Sequence, residues 1–272
     1  MSEYSLGFHT DISNEDYHAL TELGGKPCVS SSYYKNYYNK TALHAELGGT
    51  TISPAAAATG TAVHYMTLEP ELDMVVRGPE TRRGKVWSEA VDAAEAAGKL
   101  LLTEGDFDQC EAMAQALLDN PQCGKILKDK QRVCEGSIFV EHDSGVVMKA
   151  RPDLWIERTG VMADVKTALD ASPAGFTKSA FKFGYDFQAA WYRMCARKLG
   201  WDVKYFAFLV VEKAPPHAAL LHIFGNEAMS RAERLIDFHL PDIARVKDSG
   251  EFSTGWPPFN VMHLPEWLSE ES

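Results

Sequence analysis

No apolar run in the chain approaches the roughly 20 residues that a membrane helix needs. Cysteine is scarce: Cys28, Cys110, Cys123, Cys134 and Cys195 are an odd set with no C-x-x-C spacing. That excludes a disulfide framework and leads us to expect reduced thiols in a cytoplasmic protein. There is no G-x-G-x-x-G, Walker A loop, H-E-x-x-H or G-x-S-x-G. Dinucleotide binding, P-loop chemistry, zincin chemistry and a serine-hydrolase elbow have no support. Internal repeats and long linkers are missing too. The opening MSEYSLGFHTDISNEDYH is polar and acidic, unlike a secretory signal or transit peptide.

Positive charge is also in deficit. The 272 residues carry 27 Lys and Arg against 38 Asp and Glu, a formal net charge of −11. A chain this acidic is not a non-specific DNA coat, because phosphate affinity comes from Lys and Arg. It can still hold nucleic acid on one local basic track, and its acidity suits carboxylates gathered around a divalent cation. Hydrophobic residues at 45% suffice for a core. We expect a single domain over 1–272. Residues 1–130 read as mainly helical, 131–225 as the sheet with one further helix, and 226–272 as a C-terminal helix and tail.

Ser30, Ser31 and Ser32 precede a Tyr-rich segment and read as a helix N-cap. TTISPAAAATG (50–60) reads as a loop, and TAVHYMTLEPELD as a helix that Pro70 ends. Apolar spacing through Leu100 and Leu101 predicts helix from Ser88 to Leu127, broken at Asn120-Pro121. GSIFVEH (136–142), GVVMKARPDLWIE (145–157) and GVMADVKTAL (160–169) read as strands with turns between them. An amphipathic helix over 186–200, strands at 203–213 and 217–224, and a long helix over 226–250 follow. The aromatic tail GWPPFNVMHLPEWL is expected to pack on the body. This order predicts a mixed α/β domain with a central sheet built on antiparallel hairpins.

The chemistry concentrates at Arg151-Pro152-Asp153 and Asp164-Val165-Lys166. Residues two apart on a strand share a face, so Asp164 and Lys166 point the same way. If Glu157 faces Gly160, Asp153 faces Asp164. A one-residue slip puts Asp153 opposite Val165 and destroys the site. The first register is expected, with an even loop or a bulge before Gly160. Two carboxylates offer hard oxygen ligands to Mg²⁺, with Mn²⁺ as an alternative. Lys166 can orient or help deprotonate a water, or hold a phosphate. By the same alternation, Lys149 and Arg151 fall on the face of Asp153 and would add positive charge. Asp-x-Lys alone is a short pattern, and by spacing alone an exposed hairpin face with ordinary mixed charges is the better-supported reading.

With its surroundings, Pro152-Asp153 followed by Asp164-Val165-Lys166 resembles the PD-(D/E)xK nuclease signature. The wider match is to RecE-type exodeoxyribonuclease VIII, within the RecB-like nuclease branch, and covers nearly the whole chain. Ile12–His18 with Val29–Ser32 resembles that family's opening, and Gly60–His64 with Leu68-Glu69-Pro70 its histidine motif. Arg82-Arg83-Gly84-Lys85 also matches. Cys134–Phe139 is similar to its glutamate-bearing first strand, and Gln188 with Tyr192 to its Q-x-x-x-Y motif. The fold implied is a PD-(D/E)xK core with an N-terminal helical elaboration.

The resemblance implies metal ligation by Asp153, Asp164, Glu135 and His64, with the Val165 carbonyl completing the set. Gln188 and Tyr192, one helical turn apart, would position DNA or Lys166. Arg82, Arg83, Lys85, Lys149 and Arg151 would contact the DNA backbone, and Ser30 and Ser32 a 5′-phosphate. Some RecB-like relatives carry an iron–sulfur cluster; with no cysteine after Cys195, none is expected here. The implied activity is Mg²⁺-dependent removal of the 5′ strand from linear duplex ends. A ring-shaped trimer or tetramer and a RecT-like annealing protein would be its partners. An endonuclease, a single-strand nuclease and an inert DNA-binding module with the same fold are the alternatives.

Overall fold

The computed structural model describes residues 4–48 and 53–262. Its mixed α/β architecture agrees with expectation, but the strands form two five-stranded sheets and a small ribbon.

The N-terminal segment holds β1 (Gly7–His9), α1 (Asn14–Ala19), β2 (Glu22–Leu23) and β3 (Lys26–Ser30). Strands of two to five residues have too little periodicity to be legible, and they exist through pairing with distant partners. Then come α2 (Ser31–Asn39) and α3 (Ala42–Leu47). The Ser30 hydroxyl accepts from the Tyr33 amide and caps α2, as expected. Next is α4 (Pro54–Leu68). The loop expected over 50–60 is thus corrected: residues 54–60 are helix, and 50–52 lie outside the described residues. Ser53 caps the Ala56 amide, Pro54 sits in the first turn where it loses no hydrogen bond, and the alanines favour helix.

After β4 (Val75–Arg77) and α5 (Gly84–Ala96) comes β5 (Leu100–Leu102). Leu100 and Leu101 therefore belong to a strand, not a helix, and pair in parallel with Val75 and Val76. The helices α6 (Glu104–Asp119) and α7 (Pro121–Leu127) meet at Asn120, whose side chain caps the Gln122 and Cys123 amides.

The middle of the chain weaves between the two large sheets. β6 (Val133–Cys134) and β9 (Leu154–Ile156) belong to one; β7 (Ser137–Glu141) and β8 (Val147–Ala150) belong to the other. The single strand expected over 145–157 is therefore two strands. The chain leaves the ladder after Ala150, and Pro152, with no N–H to donate, lies in the passage between sheets. The turn at Asp143-Ser144-Gly145 forms as expected, with Gly145 at φ 92°.

β9 and β10 (Val161–Ala168) adopt the expected register: Ile156 opposes Val161, Trp155 opposes Met162 and Leu154 opposes Ala163. The connection is the 3₁₀ turn Glu157–Thr159 plus Gly160 at φ 66°, a conformation that favours glycine. A side chain at Gly160 would also meet the Asp202 carbonyl at 2.5 Å.

Beyond β10, α8 (Pro173–Lys182) and α9 (Tyr185–Lys198) form the crossover to β11 (Tyr205–Glu212), which runs parallel to β10. A parallel pair needs such a connection. β12 (Ala219–Ile223) and α10 (Asn226–Ser249) follow, and α10 runs through Pro241.

Alternation along β11 separates two cores. Phe206, Phe208 and Val210 pack with α9 and α10; Ala207, Leu209 and Val211 pack with α4, α6 and α7. The tail departs from expectation. Trp256, Phe259, Val261 and Met262 are exposed, although Trp256 touches the His44 ring; residues 263–272 lie outside the description.

Candidate metal and catalytic centre

Both passages between the sheets pass through one place. Glu135 lies between β6 and β7, at the kink rather than on a strand. Its φ of 54° is left-handed, an uncommon and costly conformation for a side chain of this size. Its amide donates to the Asp153 carbonyl at 3.1 Å, which ties the two passages together. Gly136 beside it allows Phe8 to approach; a methyl group there would sit 2.3 Å from the Phe8 ring.

His64 reaches the same point from α4, on the opposite side of the sheet. Its Nε2 lies 2.5 Å from Asp153 Oδ2 and its Nδ1 lies 3.3 Å from Glu135 Oε1. His64, Glu135 and Asp153 each present one ligand atom, all within 4.8 Å of one another. Two hard carboxylate oxygens and one imidazole fit a divalent cation of the Mg²⁺ or Mn²⁺ kind. The Val165 amide donates to Asp153 Oδ2 at 2.6 Å and orients that carboxylate. On an extended strand the carbonyl of a residue faces the same edge as its amide, so the Val165 carbonyl shares the strand edge that Asp153 approaches.

Asp164 stands beside this trio, not in it. It is 2% exposed. Gln188 donates to its Oδ1 at 2.7 Å, and the Lys166 ammonium holds its Oδ2. The Lys166 Nζ lies 5.1 Å from the centre of the Tyr185 ring. Tyr192, one turn after Gln188, is buried; its hydroxyl meets that of Ser31, and its ring packs on Phe206.

The electrostatics follow from crowding. Burial, then the Asp153 charge, raises the Asp164 pKa to about 6. Burial, then Asp153, also raises Glu135. Burial alone would raise Asp153, but His64 overrides it and the net shift is downward. Burial alone would lower His64, and Asp153 with Glu135 raises it instead. Burial would likewise lower Lys166, but Asp164 and then Asp153 hold it well above the ordinary lysine range.

The remaining candidates are placed differently. Lys149 does not face solvent as expected: it is buried, and its ammonium donates to the carbonyls of Tyr17 at 2.7 Å and Leu20 at 2.6 Å. Arg151 does not face solvent with Asp153 either. It donates to Glu135 Oε2 at 2.8 Å, to the Ile12 carbonyl and to the Ser137 hydroxyl. The expected alternation fails for both because the strand ends at Ala150. Arg151 acts instead by holding Glu135.

Arg82, Arg83 and Lys85 are exposed before and within the first turn of α5, with Arg82 paired to Asp106 and Lys85 to Glu89. No hydrogen bond or ion pair among the described residues joins them to Glu135, Asp153 or Asp164. Ser30 is spent on capping α2, and Ser32 is exposed. Ser31, Lys35 and Tyr185 were not singled out by sequence. Lys35 lies one turn beyond Ser31, and Tyr185 three residues before Gln188, so helical spacing from known members could have found them.

The fold and centre define a PD-(D/E)xK-type domain, a nuclease fold. Residues 30–255 match the family described as "PDDEXK-like domain of unknown function (DUF3799)", and the chain belongs to that family. Among solved structures it is similar to a candidate exonuclease from Eubacterium rectale, with 18% identity and a TM-score of 0.62. That match covers 94% of this chain and 96% of the other, and establishes likeness of fold. No curated protein sequence matches the chain. No helix among the described residues is long and apolar enough to cross a membrane.

Proposed function

We propose that the protein is a divalent-cation-dependent exodeoxyribonuclease. It would degrade the 5′ strand of linear double-stranded DNA to mononucleotides and leave 3′ single-stranded tails. One observation carries the nuclease reading: His64, Glu135 and Asp153 converge within 4.8 Å beside the Asp164–Lys166–Gln188 network. The RecE-type motifs support the 5′ polarity, and the likeness to a candidate exonuclease agrees with attack at ends.

His64, Glu135 and Asp153 would hold the cation, with Mg²⁺ the expected ion and Mn²⁺ also suited. Asp164 and the Val165 carbonyl would complete the set. A bound cation lowers the pKa of a water and offsets charge developing on phosphorus. Arg151 fixes Glu135, and the Val165 amide fixes Asp153, so the carboxylates need not reorganise as the reaction proceeds. Lys166 offers an ammonium to a non-bridging phosphate oxygen, with Gln188 holding Asp164 in place. Attack of water on phosphorus and cleavage of the P–O3′ bond would release a 5′-mononucleotide.

The partners that go with this reading are duplex ends, a RecT-like annealing protein and further copies of the chain in a ring-shaped trimer or tetramer. A ring reconciles DNA binding with net acidity, since basic residues can line a channel while the outside stays negative. The proposed location is the cytoplasm. The test is digestion of linear duplex labelled at either end, with Mg²⁺ or EDTA, beside closed circles and Asp164→Ala. Cation-dependent release of the 5′ label, with circles intact and the variant inactive, is expected. Cutting of circles would reassign it as an endonuclease, and DNA binding without cutting as an inert module.

A further inference from the structure

An ammonium that the centre does not use lies beside it. Lys35, on α2, is half-buried and has no ion pair among the described residues. Its Nζ sits 5.7 Å from the centre of the Tyr185 ring, the same ring that Lys166 approaches at 5.1 Å. Its stem packs on Gly184, where a side-chain carbon would meet Lys35 Cγ and Cδ at 3.1 Å. Burial, then the charge of Lys166, lowers its pKa to about 8. Asp164 and Asp186 offset this only in part and from a distance, so a desolvated cation with no carboxylate in contact carries a standing cost that an anion from outside would relieve.

Two further features extend from the same ring. Phe183 is 52% exposed, with its ring 6.0 Å from that of Tyr185. The Lys182 Nζ lies over Phe183 at 5.7 Å from its centre. Lys166 and Lys35 thus share the Tyr185 ring, and Phe183 with Lys182 extends from that ring to the surface at the α8–α9 junction. Lys166 holds Asp164, but Lys35 and Lys182 have no ion pair with an acid among the described residues, and Phe183 stays exposed, unlike a core residue. Alternating cations and ring faces is the pattern by which proteins hold a single nucleic-acid strand.

We infer that this strip is the track of the DNA strand being cut: Lys35 holds the phosphate next to the scissile one, and Phe183 stacks a base. The inference rests on the nuclease reading above and deepens it. A base stacked on Phe183 cannot stay paired in a duplex, so the strand on this track is unpaired when it reaches Lys166.

The test uses the full chain on a linear duplex with Mg²⁺. Lys35→Gln should raise KM for DNA about tenfold, and lower the slope of log affinity against log salt by about one. Lys35→Arg should restore both, and Lys40→Gln, exposed at the end of the same helix, should change neither. Phe183→Ala should raise KM about tenfold through lost stacking, with Phe183→Trp recovering it and Phe183→Leu not. Thermal melting guards against misfolding, and a structural lysine would not move the salt slope. Wild-type KM and salt slope in Lys35→Gln, or full rescue by Phe183→Leu, in a protein whose wild type cuts DNA, would overturn the track alone. A wild type that neither binds nor cuts DNA would overturn the nuclease reading as well.

Discussion

The β7–β8 and β9–β10 hairpins look alike as text, and the molecule uses them differently. Each carries a lysine on its second strand, Lys149 buried and Lys166 half-buried. Lys149, on β8, opposes Phe139 and spends its ammonium on main-chain carbonyls around the end of α1. Lys166, on β10, lies where β9 has ended, against Asp164 and the Tyr185 ring. A buried lysine closes a gap in the main chain when its donors meet fixed carbonyls. It becomes available to a substrate when its partner is a side chain at the parting of two sheets.

The sharpest way to break the comparison is to blunt each lysine in turn. Lys166→Met should lower kcat by about 10³-fold or more while leaving the fold intact, since an electrostatic contact at the reacting group is worth that much. Lys149→Met should do the reverse. Its carbonyls lose their donor, which costs about 2 kcal/mol of stability, while activity per folded molecule persists. Denaturant melts alongside single-turnover cleavage check both; loss of chemistry in the folded Lys149→Met protein would erase the distinction.

Arg151 tests whether the passage between the hairpins serves the centre. Arg151→Met frees Glu135, and cation affinity should fall by about 10- to 100-fold, the usual cost of losing a group that orients a ligand. Calorimetric titration with Mn²⁺ reads this without turnover. Unchanged affinity would make Arg151 a purely structural link between Glu135, Ile12 and Ser137.

A third prediction concerns pH. The Asp164 pKa is raised to about 6 on folding. Folding thus favours its proton, so its contribution to stability is complete below the unfolded value near 4 and lost as pH rises through about 6. Asp164→Asn should therefore melt higher than wild type above pH about 6 in EDTA, with the gain vanishing toward pH about 4. A gain that grows on acidification would show the opposite sign and refute the crowded-carboxylate account. The smallest effect is expected at α5: Arg82→Ala with Arg83→Ala should raise KM only a few-fold, because exposed cations contribute little each, and a larger loss would move the main DNA contact there.

Much of the centre was legible in the chain because it depends on local rules. Asp164 and Lys166 share a face through strand alternation, Gln188 and Tyr192 share one through helical spacing, and the hairpin register followed from which pairing unites Asp153 with Asp164. The helix cap at Ser30, the helix break at Asn120-Pro121 and the turn glycines at 145 and 160 are equally local. What failed was alternation carried past Ala150, where the strand stops, and periodicity read through Leu100–Leu102, whose partner is a strand 25 residues earlier.

The sequence by itself thus determined the class of fold, the register of the β9–β10 hairpin and the kinds of side chain available for metal chemistry, because backbone preference and apolar periodicity act within a few residues. Tertiary structure alone decided which of those side chains meet. Glu135 faces His64 and Asp153 only because two sheets part at its left-handed kink, Arg151 turns to Glu135 because its strand has ended, and Lys35 reaches Tyr185 because α2 packs against α9. Each of these depends on the meeting of segments far apart in the chain, where packing and burial, rather than local propensity, set the geometry.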